Sequence, residues 1–260
     1  MNSTIGHLVR ALRRYWGVVA ALSVLLVAGA VLAFTSVADV DDPAPGGGPT
    51  HTQSVLFIGD SYTQGPTTPD QSYGCLTATE LGWKCAIAAQ GGTGYLSGGP
   101  EHRVSLGQSA PPSTSFVERL PGLREQYQPD VIVIDGGRND TDFDMSEVDR
   151  TFADTVRKVI KSWPSSRVVV IGPWFLKEPV IRPPALAGRT IGDEFQSVLR
   201  SSPDFDAVHF IDPAALGWFA GIDPSPYLSD DGIHPNSQGV KKISELLTSA
   251  LKNEGLANRS

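Results

Sequence analysis

A hydroxyl, an imidazole and a carboxylate stand in two short runs far apart in the chain, Phe57-Ile58-Gly59-Asp60-Ser61 and Asp231-Gly232-Ile233-His234-Pro235. A serine becomes a useful nucleophile when a hydrogen-bonded base takes its proton during attack, and the base works best when a carboxylate fixes its tautomer and direction. Ser61, His234 and Asp231 have the types for those three roles, and the chemistry would be acyl transfer through a covalent intermediate on Ser61. Asp231 lies three residues before His234, and Gly232 between them permits the tight turn that would put carboxylate and imidazole on one loop. Asp230 is a competing orienter; spacing favours Asp231. None of His7, His51, His102 and His209 has a carboxylate at that spacing in a turn-rich setting, and His209 lies inside an apolar, strand-like run.

Acyl transfer also needs donors aimed at the oxygen that becomes negative. Two segments could supply them. In Ala88-Ala89-Gln90-Gly91-Gly92-Thr93-Gly94-Tyr95 a strand-like run breaks into glycines whose N–H groups can approach a ligand closely, and Gly92 is preferred over Gly91. In Ile134-Asp135-Gly136-Gly137-Arg138-Asn139-Asp140 a third strand meets a turn carrying the amide of Asn139, which standing alone would be an ordinary turn residue. Neither segment has the G-x-G-x-x-G or G-K-[ST] pattern of a phosphate-binding loop.

The elements that must position these groups alternate along the chain. Apolar runs predict strands over Val55–Gly59, Lys84–Ala88, Val131–Asp135, Arg167–Ile171 and Ala207–Ile211. Helices are expected near Tyr73–Leu81, Ser115–Gln126, Ser146–Trp163, Thr190–Ser201 and Ser237–Asn253; in the third, Val148, Phe152, Val156, Val159 and Ile160 recur at helical spacing. Such alternation argues for an α/β fold, a parallel sheet with helices on both faces, and Ser61 would then sit at the carboxyl end of the first strand, where such sheets bind ligands.

In this order the blocks Gly59-Asp60-Ser61, Gly91-Gly92, Gly137-Arg138-Asn139-Asp140 and Asp231-Gly232-Ile233-His234 resemble the SGNH, or GDSL-type, hydrolase family over roughly residues 54–251. The resemblance implies a three-layer α/β/α sandwich around a five-stranded parallel sheet, flavodoxin-like in order. It implies Ser61 as nucleophile, His234 as general base and Asp231 as orienter. The oxyanion hole would be built from the Ser61 N–H, a glycine N–H and the Asn139 side chain. Two departures stand out. Tyr62 replaces the Leu of many members, with its side chain expected to point away from the nucleophile, and Ile87 stands where the second block often begins with Asn.

Outside these blocks, Arg10, Arg13 and Arg14 precede an uncharged stretch from Trp16 to Ala38, and Asp39, Asp41 and Asp42 follow it. Residues 1–15 read as a cytoplasmic tail and 16–38 as a transmembrane signal anchor, with a cleaved signal peptide as the alternative because Ser36-Val37-Ala38 resembles a cleavage site. Residues 39–53, rich in Pro and Gly, read as a flexible linker to a catalytic domain of residues 54–260, expected to be monomeric. Cys75 and Cys85 are the only cysteines, and in an exported domain an even pair is expected to form a disulfide. They and the dispersed histidines lack zinc-ligand spacing, and no metal or other cofactor is expected. A net charge of -7 argues against a nucleic-acid surface.

Trp174, Phe175, Trp218 and Tyr227 follow strand ends and are candidate substrate contacts, for an acyl chain or a sugar, against local packing as the alternative. Arg138 and Arg182 could meet an acidic substrate group, with solvated surface charge as the favoured reading. The chain is therefore expected to be an exported serine esterase or lipase-like hydrolase of carboxylic esters. A cell-envelope carbohydrate O-acetyl esterase or acyltransferase using the same residues ranks second, and a non-catalytic binding domain third.

Overall fold

Residues Ser54–Gly59 (β1), Lys84–Ala89 (β2), Val131–Asp135 (β3), Arg167–Ile171 (β4) and Val208–Ile211 (β5) pair in parallel throughout, in the order β2-β1-β3-β4-β5. The computed structural model describes residues 51–66, 68–108, 110–177 and 188–257. Parallel strands need crossovers, and helices supply them: Tyr73–Glu80 (α2), Phe116–Gln126 (α3), Met145–Ser162 (α4), Ile191–Arg200 (α5) and, after β5, Ser237–Asn253 (α6). A one-turn helix, Ser61–Gln64 (α1), follows β1 directly.

Side chains alternate across each strand, and the apolar runs fill two cores. Val55, Phe57, Val131, Val133, Val169 and Ile171 face one layer with Val240, Ile243, Leu247 and Leu251 of α6. Leu56, Ile58, Ile132, Ile134, Val168 and Val170 face the other with Val148, Phe152 and Val156 of α4 and Phe195 of α5. Both faces are covered, which is why the strands are continuously apolar rather than alternating with polar residues. The expected elements form within a residue or two of their expected limits. Ser61 stands just past the carboxyl end of β1, where it opens a helical turn that the Asp60 carboxylate caps by accepting the Tyr62 N–H at 2.9 Å.

Strand order reverses between β1 and β3, so the loops after these strands diverge and leave a crevice at their carboxyl ends. The crevice is where the sequence places Ser61, the Gly91-Gly92 turn and Asn139. The proposed anchor at 16–38 lies outside the described residues, and among the described residues no helix is long and apolar enough to cross a membrane. The described unit runs from His51, whose Nε2 lies 2.8 Å from an Asp130 carboxylate oxygen.

Cys75 in α2 and Cys85 in β2 form a disulfide that closes a loop of 10 residues. Constraining so short a loop in the unfolded chain is worth about 2–3 kcal/mol. The double variant Cys75→Ala/Cys85→Ala should therefore lower unfolding free energy by about that amount in urea titration.

Candidate active site

The turn after β1 is built around a glycine that tolerates no side chain. A Cβ on Gly59 would lie 2.0 Å from Thr63 Oγ1 and 2.9 Å from the Asp135 carbonyl, so β1, α1 and the end of β3 close up only around hydrogen. Asp60 then points inward and is fully buried. Its carboxylate receives Arg138 Nε at 3.0 Å and Nη2 at 2.9 Å, and Arg138 Nη2 also donates to Asp135 Oδ2 at 2.8 Å. Asp135 Oδ2 accepts from Thr63 Oγ1 at 3.1 Å and from the Tyr73 hydroxyl. Burial pushes the Asp60 carboxyl up, against the pull of Arg138. Burial alone would lower the guanidinium of Arg138, but the charges of Asp135 and Asp60 outweigh it and hold that group well above its ordinary value.

Arg138 is thus a buried structural cation, not the solvated charge expected from its polar neighbours. Its carboxylate partners are Asp135, three residues before it at the end of β3, and Asp60, in the turn after β1 and 78 positions away, a partnership invisible along the chain. Its guanidinium also lies over the ring of Tyr62 at 4.6 Å and that of Trp174 at 5.4 Å. Arg182 falls outside the described residues.

The base arrives from the far end of the chain on a loop that organises itself. Gly232, at φ +68°, lets the chain turn so that Asp231 Oδ1 accepts the N–H groups of Ile233 and His234, both at 2.9 Å. Asp231 Oδ2 meets His234 Nδ1 at 2.6 Å, and His234 Nε2 meets Ser61 Oγ at 2.9 Å. The tautomer that donates Nδ1–H to Asp231 leaves the Nε2 lone pair facing the serine hydroxyl. The bond from His234 and the two backbone donors hold the Asp231 carboxyl at about 2, although it is exposed, so it is ionised throughout the neutral range. Asp231, rather than Asp230, orients the ring. Asn236 anchors the loop's far end: it caps α6 and donates to the carbonyls of Pro226 and Leu228.

The oxyanion candidates are only partly where spacing put them. A Cβ on Gly91 would lie 3.7 Å from Ser61 Cβ, whereas one on Gly92 would meet Val104. Gly91 is therefore the glycine beside the serine, a correction to the preference for Gly92. The reason is the turn closed by Thr93 N–H on the Gln90 carbonyl, with Gly92 at φ +72°, which rotates the second glycine away. Asn139 stands on the adjacent turn; its Nδ2 donates to the Thr93 carbonyl at 2.9 Å and lies 3.4 Å from Asp60 Oδ2.

Two residues that sequence reasoning passed over hold this wall. Asp140 accepts the N–H groups of Tyr95, Leu96 and Ser97 at 2.8–2.9 Å, pinning the segment after the glycines. Arg119 joins the ends of β1 and β2 by donating to the carbonyls of Gly59 and Ala88 at 3.0 and 2.7 Å. Burial lowers its guanidinium to about 10, which leaves it charged at neutral pH. Asp140 stood in a quoted block and could have been flagged as a buried cap; nothing near Arg119 in sequence announces its partners.

The candidate substrate aromatics do not line the serine cleft. That cleft, about 340 Å³, is walled by Ser61, Gln64, Pro66, Ser229, Asp231 and His234. Trp174, Phe175 and Trp218 line a separate apolar pocket of about 270 Å³, and Tyr227 packs edge-on against Phe219 at 5.6 Å. Trp174 and Trp218 are almost wholly buried, because rings after strand ends fill the space beneath long loops.

Residues 57–242 match the GDSL-like Lipase/Acylhydrolase family. The chain belongs to that family. Its members are ester hydrolases, and no curated protein matches the chain directly. Among solved structures, it is similar to an active-site mutant of a family two carbohydrate esterase from Clostridium thermocellum, with 19% identity and a TM-score of 0.57. That similarity covers 78% of this chain but 64% of the other, so this GDSL protein spans less than two thirds of that relative. Est24, a carbohydrate acetylesterase from Sinorhizobium meliloti, has 19% identity and a TM-score of 0.53 over 78% of this chain and all of its own. The aryl esterase of M. smegmatis has 18% identity and a TM-score of 0.54, over 78% and 99% of the two chains. At these identities the likenesses establish the fold.

Removing Arg138 would strand two buried carboxylates, a change that typically costs about 3–5 kcal/mol. Arg138→Met should lower the unfolding free energy by about that much, measured by urea titration, although the side chain never reaches the cleft surface.

Proposed function

We propose that this protein is a serine esterase that cleaves carboxylic esters through an acyl-enzyme on Ser61. The observation that carries the reading is the unbroken chain of hydrogen bonds from Ser61 Oγ through His234 to Asp231, at 2.9 and 2.6 Å. As Ser61 Oγ attacks the ester carbonyl carbon, its proton passes to His234 Nε2, and the ionised Asp231 stabilises the imidazolium. The carbonyl oxygen becomes an oxyanion facing the N–H of Ser61, the N–H of Gly91 and the Asn139 amide. The helix cap takes the Tyr62 N–H and leaves that of Ser61 for substrate. Collapse breaks the bond to the alcohol oxygen, which leaves with the proton from His234. Water then repeats the sequence, with His234 as base and Ser61 as leaving group.

The walls of the cleft favour one substrate class within this chemistry. Gln64, Ser229 and the exposed edge of Asp231 offer hydrogen-bonding groups where a long acyl chain would need apolar cover, which suits a short acyl group on a polyhydroxylated alcohol. Two of the similar structures are named as carbohydrate esterases, which agrees with that reading. The purified protein should hydrolyse p-nitrophenyl acetate and acetylated oligosaccharides in preference to p-nitrophenyl octanoate. Ser61→Ala should remove turnover and labelling by a fluorophosphonate, and Asp231→Asn should lower kcat about 10²- to 10⁴-fold. Wild-type turnover in Ser61→Ala would refute the mechanism; a preference for the octanoate would refute the substrate class alone. Acyl transfer to glycan outpacing hydrolysis would make it an acyltransferase.

We further infer that the domain works outside the cell membrane, tethered by residues 16–38. The charge asymmetry about that stretch and the Cys75–Cys85 disulfide support this. Fractionated cells should hold the full-length protein in the membrane pellet; a shortened protein in the medium would mean cleavage instead.

A further inference from the structure

We infer that Tyr62 is a positioning residue that fastens the base-bearing loop to the nucleophile's helix while Ser61 is acylated, an inference that rests on the mechanism above. The residue follows Ser61 directly. Far from pointing away, its hydroxyl donates to the Ile233 carbonyl at 2.6 Å, and its ring meets the His234 ring edge-on with centroids 5.7 Å apart. Tyr62 itself is 3% exposed and held on two sides, by Arg138 at 4.6 Å over its face and by Trp174 at 5.2 Å.

The loop needs such a tie. The side chains of His234 and Asp231 are 40% and 48% exposed, and most of the loop's bonds are internal. Asp231 accepts its own loop's N–H groups, and Ser229 N–H donates to the His234 carbonyl. Across to the nucleophile's helix run two bonds, Ser61 to His234 and Tyr62 to Ile233. The first is a reacting bond. Once Ser61 Oγ carries the acyl group it has no proton to share, yet His234 must still hold Nε2 in place to activate water. The second bond takes no part in the chemistry and persists through both half-reactions. Burial pushes the Tyr62 phenol up to about 12, so it remains a protonated donor across the neutral range.

Two consequences follow, one kinetic and one in the untouched protein. In Tyr62→Phe the ring and its packing remain, and only the tie is lost. Stopped-flow hydrolysis of p-nitrophenyl acetate, with acetyl-enzyme followed by quench and intact mass, should show deacylation slowed about tenfold and acylation by less than about threefold. The steady-state fraction of acetyl-enzyme should rise. A variant that merely loses stability would slow both steps together, and that result, or unchanged kinetics, overturns the proposal. Independently, in the wild-type protein with Ser61 blocked by a fluorophosphonate, the N–H groups of Ile233 and His234 should keep their protection from hydrogen exchange. If blocking Ser61 alone releases them, Tyr62 does not hold the loop and the proposal is overturned. Failure of the fluorophosphonate to label Ser61 at all would instead sink the underlying mechanism.

Discussion

The buried contact of Arg138 with Asp60 and Asp135 is the constraint on which the site depends. It joins the turn after β1 to the turn after β3 across the crevice where strand order reverses. One buried cation between two buried carboxylates is costly to assemble and more costly to break. Its value is therefore better understood as specificity of arrangement than as net stability. Asp60 cannot move without exposing Arg138, and Asp60 caps the helical turn that presents Ser61. The serine inherits its position from charges that never meet a substrate.

The two halves of the site are built on different physical terms. The nucleophile side is buried and tightly packed: Gly59 admits no side chain, Thr63 and Tyr73 both donate to Asp135 Oδ2, and Asp140 and Arg119 fasten the neighbouring wall. The base side is exposed and held mainly by its own turn. Rigidity matters most where an oxyanion develops, since donors fixed in advance need no reorganisation as charge appears. A base that must face the acid proton, the leaving alcohol and then water gains from standing at the solvent edge, provided something holds its loop. Asn236 holds one end and Tyr62 the middle.

The separation of the serine cleft from the aromatic pocket also bears on substrate choice. Trp174 and Trp218 lie under the loops after β4 and β5, and Trp174 supports the inner face of the site by packing against Tyr62 and Arg138. Rings that serve as scaffold are not free to line an acyl channel. The cleft at Ser61 has walls of its own, with Gln64, Ser229 and Asp231 beside Pro66, and these are the ground for the short-acyl, hydrophilic-alcohol substrate proposed above.

The sequence by itself determined the alternation of strands and helices, because apolar runs of strand length and helical periodicity are local signals. It also favoured Asp231 as the partner of His234, because three residues with a glycine inside can close a tight turn, but the choice over Asp230 came from the fold. Which glycine faces the serine, that Arg138 is buried, that the aromatics support rather than line the cleft, and that Tyr62 grips the histidine loop were decided only by tertiary structure. Each depends on a partner 78 to 171 positions away or on a turn's rotation, and burial and electrostatics act through space rather than along the chain.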